Sequence, residues 1–213
     1  HELGTPLSIL RGEIEAIQDG IRKPDTSSIE SLHSETMRLS KIVNDLRELS
    51  LASTGGMSFD REEIMLSAVV DSTVASFRPP FSRRNVNIHI SETSDCLVIA
   101  DYSRLQQVLS NILENSLRYM DSPGDVWLGV VEQDYRVLLY VLDSGPGVPD
   151  NALPNLFDRL FRVEQSRTRS KGGSGLGLAI CKHIIGAFHG TISAQNVEGK
   201  GLKIEIILPK HQS

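Results

Sequence analysis

The first fifty residues repeat apolar positions with the period of an α-helix on both sides of a single break. Spacings of three and four residues place each set on one helical face. The first set is Leu3, Leu7, Leu10, Ile14, Ile17 and Ile21, and the second is Ile29, Leu32, Thr36, Leu39, Val43 and Leu46. The stretch Arg22–Asp25 separates them, and Ser27 with Glu30 predicts a capping box at the start of the second helix. A helical hairpin is therefore expected.

The apolar stripes of this hairpin are wide, because Ile42 and Leu49 broaden the second one. Two antiparallel helices cannot bury such stripes between themselves, whereas a dimer that forms a four-helix bundle buries them. The alternative is packing of the hairpin on the C-terminal part of its own chain. Residues 1–54 are accordingly predicted to be a first domain and a homodimer interface.

Gly55 and Gly56 mark a joint, after which helical and alternating patterns mix. Helices are predicted over 64–81, 102–119 and 176–189, the first of them ending near Pro79 and Pro80. Strands are predicted over 86–90, 126–131, 136–142, 190–195 and 202–208, and residues 96–100 form a short apolar run. The elements show no regular βαβ rhythm. This favours an α+β fold for residues 57–213, with helices on one face of a mixed sheet.

Composition narrows the class of protein. The 27 Asp and Glu residues outnumber the 22 Lys and Arg residues, for a net charge of −5. This balance argues against a nucleic-acid partner. Two cysteines are too few for a disulfide framework, and no apolar run approaches the roughly 20 residues that span a bilayer. The chain begins at His1, so we expect it to continue N-terminally and to meet a membrane only through such segments.

Two glycine-rich segments are candidates for nucleotide binding. Asp143-Ser144-Gly145-Pro146-Gly147 follows a predicted strand, and Gly172-Gly173-Ser174-Gly175-Leu176-Gly177 precedes a predicted helix. Glycine lets a ligand approach the backbone, and a helix N-terminus offers unpaired N–H groups to an anion. Each segment alone is also typical of an ordinary turn. The second segment favours a phosphate cradle.

Two further groups of polar residues carry candidate chemistry. Asn111 and Asn115 lie four residues apart, so both amides project from one face of an otherwise apolar helix. Amide oxygens suit a hydrated Mg²⁺ that carries phosphates, although capping or solvent-facing asparagines are the alternative. His1 and Thr5 likewise share a helix face, but Thr5 replaces the second histidine that a zinc-binding H-E-x-x-H motif requires.

Taken in order, these segments resemble the two-component sensor histidine kinases. The shared motifs are H-E-x-x-T-P-L, N-x-x-x-N-x-x-R-Y, D-S-G-P-G, L-F-x-R-L-F-R and G-G-S-G-L-G-L-A-I. The resemblance covers essentially the whole chain, and its first twenty residues are most similar to the envelope-stress branch of the family. It implies a dimeric phosphotransfer hairpin followed by an ATP-binding sandwich shared with Hsp90 and gyrase.

The resemblance also implies roles for single residues. His1 would be the phospho-acceptor, Glu2 the acid that orients or deprotonates it, and Thr5 the residue that positions water for regulator dephosphorylation. Asn111 and Asn115 would hold Mg²⁺ against ATP, and Asp143 would accept a hydrogen bond from the adenine amine. The remaining candidates for the nucleotide pocket are Arg118, Tyr119, Gly145, Gly147, Arg162, Gly173, Gly175, Leu176 and Gly177. A nucleotide lid is expected over residues 163–173, after Phe157 and Phe161.

Three features depart from the family pattern. Gly4 stands where arginine is usual, Leu202 follows Gly201 where threonine or serine is common, and the helix before His1 is missing. The expected activity is ATP-dependent autophosphorylation of His1 and transfer to an aspartate of a response regulator, with regulator phosphatase activity. The expected location is the cytoplasmic face of the bacterial inner membrane. The alternatives are a catalytically silent scaffold or regulator phosphatase, and an Hsp90-like ATPase without phosphotransfer.

Overall fold

The computed structural model describes residues 3–163 and 173–211, which divide into two compact units, residues 1–57 and residues 58–213. The helices are α1 (Gly4–Gln18), α2 (Thr26–Ser53), α3 (Leu66–Ser82), α4 (Tyr102–Tyr119) and α5 (Gly177–Ala187), with a 3₁₀ helix at Asp150–Asn155. The strands are β1 (Glu62–Met65), β2 (Val86–Thr93), β3 (Leu97–Ala100), β4 (Gly124–Gln133), β5 (Arg136–Asp143), β6 (Thr191–Asn196) and β7 (Leu202–Pro209).

The first unit is the helical hairpin, formed by α1 and α2. The prediction of a capping box was wrong, because Asp25 is the N-cap of α2 and Ser27 already lies inside the helix. Asp25 has extended backbone geometry, and its Oδ1 accepts a hydrogen bond from the Ser28 N–H at 2.8 Å. A short acidic side chain at that position satisfies one of the free N–H groups directly, so no reciprocal glutamate is needed.

A polar contact joins the two helices of the hairpin. Glu13 Oε1 accepts hydrogen bonds from Ser31 Oγ on α2 and from Arg22 Nη1 in the turn, both at 2.9 Å. The apolar stripes, by contrast, are largely exposed, as in Ile29 (60%) and Val43 (50%). Within residues 3–163 and 173–211, no helix combines the length and the apolar character that crossing a membrane requires.

The second unit is built on a mixed five-stranded sheet in the order β2-β4-β5-β7-β6. The β2–β4 pair is parallel and the other pairs are antiparallel. The short strands β1 and β3 form a separate antiparallel pair. The predicted α+β class is confirmed, and α4 spans the residues that its apolar periodicity indicated.

One face of the sheet lies in the core. Its side chains alternate with half-exposed ones on the opposite face, as expected for a sheet covered on one side. The buried set includes Val126, Leu128, Val130, Val137, Leu139, Val141, Ile204, Ile206 and Leu208, together with Leu105, Val108, Leu109, Ile112 and Leu113 of α4. Both cysteines are buried.

The open face of the sheet carries an aromatic and cationic cluster. Trp127 stacks on His89, with ring centroids 5.7 Å apart. Lys200 Nζ lies 4.5 Å from the centroid of the Trp127 ring. Lys200 belongs to the turn between β6 and β7, so this contact ties that turn to the sheet.

The predicted helix over 64–81 needed correction. Ile64 belongs to β1, where it pairs with Val98 of β3, and the helix begins at Leu66. Pro79 and Pro80 lie inside α3, which continues to Ser82. A proline near the end of a helix removes N–H donors over a single turn, so the last turn still forms.

Candidate nucleotide-binding site

Helix α4 carries several candidate residues on its C-terminal half. The helix begins at the N-cap Asp101, whose Oδ1 accepts a hydrogen bond from the Arg104 N–H at 3.1 Å. Its apolar face packs into the core, which fixes the direction of the opposite residues. Asn111 is buried, Asn115 and Arg118 are half-buried, and Tyr119 is exposed. The first three therefore lie between the core and the surface.

Asp143 ends β5 and is the most extensively hydrogen-bonded candidate. Its Oδ1 accepts from the Gly145 N–H at 3.0 Å and from the Leu202 N–H at 3.2 Å. Its Oδ2 accepts from Ser116 Oγ at 3.0 Å. Only 9% of the residue is exposed. The carboxylate is thus held from α4, from the loop after β5 and from the start of β7.

Two glycines near Asp143 have structural reasons for lacking a side chain. A Cβ on Gly201 would lie 2.6 Å from the Asp143 and Gly145 backbones. Gly147 has a φ of +68°, and a Cβ there would lie 2.7 Å from Asn196 Oδ1. Asn196 also accepts from the Val148 N–H at 3.0 Å, so it fixes the loop after Gly147. The close backbone packing holds the Asp143 loop in place.

The second glycine-rich segment touches α4 at two points. Asn111 Nδ2 donates to the Gly177 carbonyl at 3.4 Å, and a Cβ on Gly173 would lie 2.4 Å from Arg118 Nη1. Leu176 is buried and is the N-cap of α5, with no side-chain cap and no acidic residue in the first turn. The N-terminal N–H groups of α5 are therefore not matched by a capping side chain, which suits an anion.

Gly175 fixes the chain before this helix. It has a φ of +66°, and a Cβ would lie 3.0 Å from the Leu160 and Phe161 backbones. The Leu160 N–H donates to the Gly175 carbonyl at 3.0 Å. The segment around Phe161 and the second glycine-rich segment are thus joined through their main chains, and half-buried Arg162 follows directly.

Three predicted features lie wholly or partly outside the described residues. His1 and Glu2 precede them, and residues 164–172 of the predicted lid fall in the gap. Thr5 is described: it is exposed in the first turn of α1. The structure therefore brings together the candidates on α4, at Asp143 and at Gly173–Gly177, and it leaves the His1 assignment as a prediction.

Two family models match the chain. Residues 1–55 match the His Kinase A (phospho-acceptor) domain. Residues 100–212 match the histidine kinase-, DNA gyrase B-, and HSP90-like ATPase. The chain belongs to the histidine kinase family. It combines a phospho-acceptor domain with an ATP-binding domain of the ATPase type.

Individual histidine kinases show the same likeness. The chain is 42% identical over 209 residues to the signal transduction histidine-protein kinase BaeS of Escherichia coli K12. That match covers 98% of this chain and 45% of BaeS, so the chain spans less than half of that relative. The Acinetobacter baumannii histidine kinase AdeS has a similar structure, with a TM-score of 0.85 at 30% identity, covering 100% of this chain and 98% of AdeS.

A third likeness concerns the fold. The histidine kinase ThkA, in a crystal structure with the response regulator protein TrrA, matches with a TM-score of 0.79 at 23% identity. The match covers 99% of this chain and 59% of that chain. It extends the shared fold across both units of the histidine kinase.

Sequence reasoning did not assign three residues to the site, although it noted Leu202 as a departure from the family pattern. Ser116 lies beside Asn115 and binds Asp143, Leu202 binds Asp143 through its main chain, and Asn196 clamps the loop after Gly147. Ser116 could have been noticed in the sequence, because it is a polar residue on the apolar face of α4. Leu202 left no signal, because a main-chain donor does not depend on the side chain.

The amide residues fit a magnesium ion. Asn111 turns its Nδ2 to the Gly177 carbonyl, so its Oδ1 lies on the other side of the amide as a hard oxygen ligand. Within residues 3–163 and 173–211, no group of three or more His, Cys, Asp and Glu side chains is arranged to hold a metal.

Proposed function

We propose that this histidine kinase transfers the γ-phosphoryl group of ATP to His1 and then to an aspartate of a response regulator. One observation carries the proposal most directly. The C-terminal half of α4 contacts the Asp143 carboxylate, Gly173 and Gly177, so one helix joins the segments expected at the base and at the phosphates. The family match supports the same chemistry.

The proposed adenine end is Asp143. Its carboxylate is an acceptor, and the exocyclic amine of adenine is a donor that it can pair with. Gly145 and Gly201 lack side chains, so the backbone after Asp143 and the backbone before β7 pack closely beside the carboxylate. Burial of the carboxylate strengthens this contact, since the local dielectric is lower than in water.

The proposed phosphate end consists of α4 and the second glycine-rich segment. Asn115 and Asn111 would hold Mg²⁺, which supplies positive charge against the triphosphate. The Arg118 and Arg162 guanidinium groups add cationic donors, and the Tyr119 hydroxyl is a further polar group at this edge. The N–H groups of Gly173, Gly175 and Gly177 bind phosphate oxygens, and buried Leu176 anchors the turn that presents them.

Phosphotransfer to His1 requires a nitrogen nucleophile. Neutral imidazole is nucleophilic near pH 7, so the attack on the γ-phosphorus needs little activation. The new P–N bond forms as the bond to ADP breaks, and the imidazole loses a proton that Glu2 accepts. Glu2 also orients the ring by accepting a hydrogen bond from it.

The proposed partner is a response regulator. BaeS is 42% identical to this chain, which favours a BaeR-like regulator as the cognate partner. ThkA, which shares the fold, is seen in complex with the response regulator protein TrrA. Thr5 is exposed in the first turn of α1, and its proposed role is to orient the water that hydrolyses the regulator's phospho-aspartate. Phosphatase activity would then reside in the same hairpin.

The proposed assembly is a homodimer through residues 1–54. Its support is the exposed apolar stripe of the hairpin, which a four-helix bundle would cover. The proposed site of action is the cytoplasmic face of the bacterial inner membrane, reached through segments outside this chain. Fractionation of cells that produce the full-length protein tests the location.

Labelling with γ-phosphate-labelled ATP tests the function. We expect a protein-bound phosphoryl group that acid removes and alkali leaves intact, because a phosphoramidate behaves in that way. ATP binding without any such product identifies an ATPase without phosphotransfer, and failure to bind ATP identifies a silent scaffold. Either of these results contradicts the proposal.

A further inference from the structure

The two oxygens of Asp143 have different hydrogen-bond environments. Oδ1 accepts from two main-chain donors, the Gly145 N–H at 3.0 Å and the Leu202 N–H at 3.2 Å. A carboxylate oxygen has about two lone-pair positions, so these donors fill Oδ1. Within residues 3–163 and 173–211, Oδ2 has a single donor, Ser116 Oγ at 3.0 Å. One position on Oδ2 is thus left for a ligand.

Ser116 is well placed to control that oxygen. It lies on α4 directly after Asn115 and is 5% exposed. An ionised carboxylate cannot donate, so the serine hydroxyl must be the donor in this contact. Two main-chain N–H groups hold Oδ1, and the bond from Ser116 to Oδ2 further restrains rotation of the carboxylate plane about its Cβ–Cγ bond.

We propose that Ser116 is a positioning residue for adenine recognition, fixing the Asp143 carboxylate so that Oδ2 accepts the hydrogen bond from the exocyclic amine. This inference rests on the nucleotide site proposed above and deepens it. The preferred ligand class is a nucleotide with an amine at the sixth position of the purine. A base with a carbonyl there faces the carboxylate with a second acceptor and is disfavoured.

The test compares ATP with inosine triphosphate, which replaces the amine by a carbonyl and keeps the ribose and all three phosphates. Calorimetry gives the Kd of each for the whole chain and for Ser116→Ala. We expect the Kd for ATP to rise about three- to tenfold, the usual size of one lost hydrogen bond. The Kd for inosine triphosphate should stay within twofold. A role in packing alone would change both equally.

A matched control is available on the same helix. Ser103 Oγ donates to Asp101 Oδ1 at 2.7 Å at the start of α4, away from the candidate site. Ser103→Ala removes the same kind of bond and should leave both Kd values unchanged. Ser116→Cys keeps a weak donor of similar size. Its Kd for ATP should therefore lie between the Kd of the unchanged chain and that of Ser116→Ala.

A double-mutant cycle separates this inference from the proposed function. If Ser116 acts through Asp143, Ser116→Ala should have no further effect on ATP binding in an Asp143→Asn background. An equal loss in both backgrounds, equal losses for the two nucleotides, or unchanged ATP binding overturns the role of Ser116. Full ATP affinity in Asp143→Asn alone instead overturns the proposed adenine contact.

Discussion

The hairpin of residues 1–57 and the sheet unit of residues 58–213 differ in how far their apolar side chains are buried. In the described part of the hairpin, Ile42 and Leu49 are the large aliphatic residues that become buried. Its exposed large apolar residues are Leu7, Ile9, Ile14, Ile21, Ile29, Met37, Val43, Leu46 and Leu51. The sheet unit instead buries a continuous core between one sheet face and its helices.

This difference predicts different sources of stability. A domain with its own core can fold alone, whereas a surface with a long apolar stripe gains stability when another surface covers it. The stability of the hairpin should therefore depend on protein concentration, and the stability of the sheet unit should not. The proposed chemistry divides in the same way, because the hairpin carries the phospho-acceptor and the sheet unit carries the nucleotide.

The division of chemistry is tested most strongly by His1→Gln. We expect this substitution to abolish acid-labile labelling from ATP while the Kd for ATP stays unchanged, because the acceptor and the nucleotide site lie in different units. Autoradiography and calorimetry give the two readouts. Acid-labile labelling that persists in the variant would show that another residue is the acceptor.

The dependence of the hairpin on a partner is tested by Val43→Glu. Burying an unpaired charge in an apolar interface costs several kcal/mol, so the dimer dissociation constant should rise by about a hundredfold or more. Sedimentation or light scattering over a range of concentrations measures it. The matched control is Met65→Glu in the sheet unit, at 43% exposure against 50% for Val43, which should leave association unchanged. Equal effects would refute the contrast between the units.

The proposed role of Thr5 in regulator dephosphorylation is tested by a substitution with a smaller expected effect. Thr5→Ala should slow dephosphorylation of the regulator about tenfold, a barrier change of roughly 1.4 kcal/mol, because alanine cannot orient water. Autophosphorylation should stay within a few-fold. Decay of pre-phosphorylated regulator with ADP and Mg²⁺ is the measurement. Parallel loss of kinase and phosphatase rates would leave Thr5 with a role in the helix alone.

The acid stability of two helix caps gives a further comparison between the units. Burial acts to raise the pKa of the Asp101 carboxyl, but hydrogen bonds from Ser103 and from the Asp60 and Arg104 N–H groups outweigh it and lower that pKa. The Ser28 N–H and hydroxyl chiefly lower the pKa of Asp25, the exposed cap in the hairpin.

A lowered carboxyl pKa stabilises the fold above the unfolded value near 4, and this contribution is lost as the pH falls below it. Asp101→Ala should cost about 1–2 kcal/mol at pH 7 and much less at pH 3. Asp25→Ala should have a smaller effect on thermal unfolding at either pH. A loss from Asp101→Ala that is equal at pH 7 and pH 3 would contradict the hydrogen-bonded carboxylate.

The sequence predicted those elements whose stabilisation is local. Helix α4 was predicted with its observed bounds, because its apolar stripe is long and one side of it is fully buried. Most of β4 and β5 was also predicted, because the apolar residues of both segments have a strand pattern. Candidate residues on α4 followed from the same periodicity, because two amides four residues apart share a face.

What the sequence did not predict depends on contacts between distant segments. Ile64 looks helical by spacing and becomes a strand residue because it pairs with Val98. The bond between Ser116 and Asp143 joins residues 27 positions apart, and that between Leu202 and Asp143 joins residues 59 apart. Neither follows from periodicity. Asp25 is the N-cap of α2. The sequence predicted Ser27 in its place, because Ser27 and Glu30 have the spacing of a capping box.

Trp127 is the one tryptophan of the chain, and its surroundings make it an optical probe. The ammonium group of Lys200 lies over its ring, and Lys200 is two residues before Leu202, whose main-chain N–H donates to the Asp143 carboxylate. A charge so close to an indole shifts its fluorescence emission. If a nucleotide binds at Asp143 as proposed, its binding should change this emission in unlabelled protein, with no tryptophan signal from the hairpin.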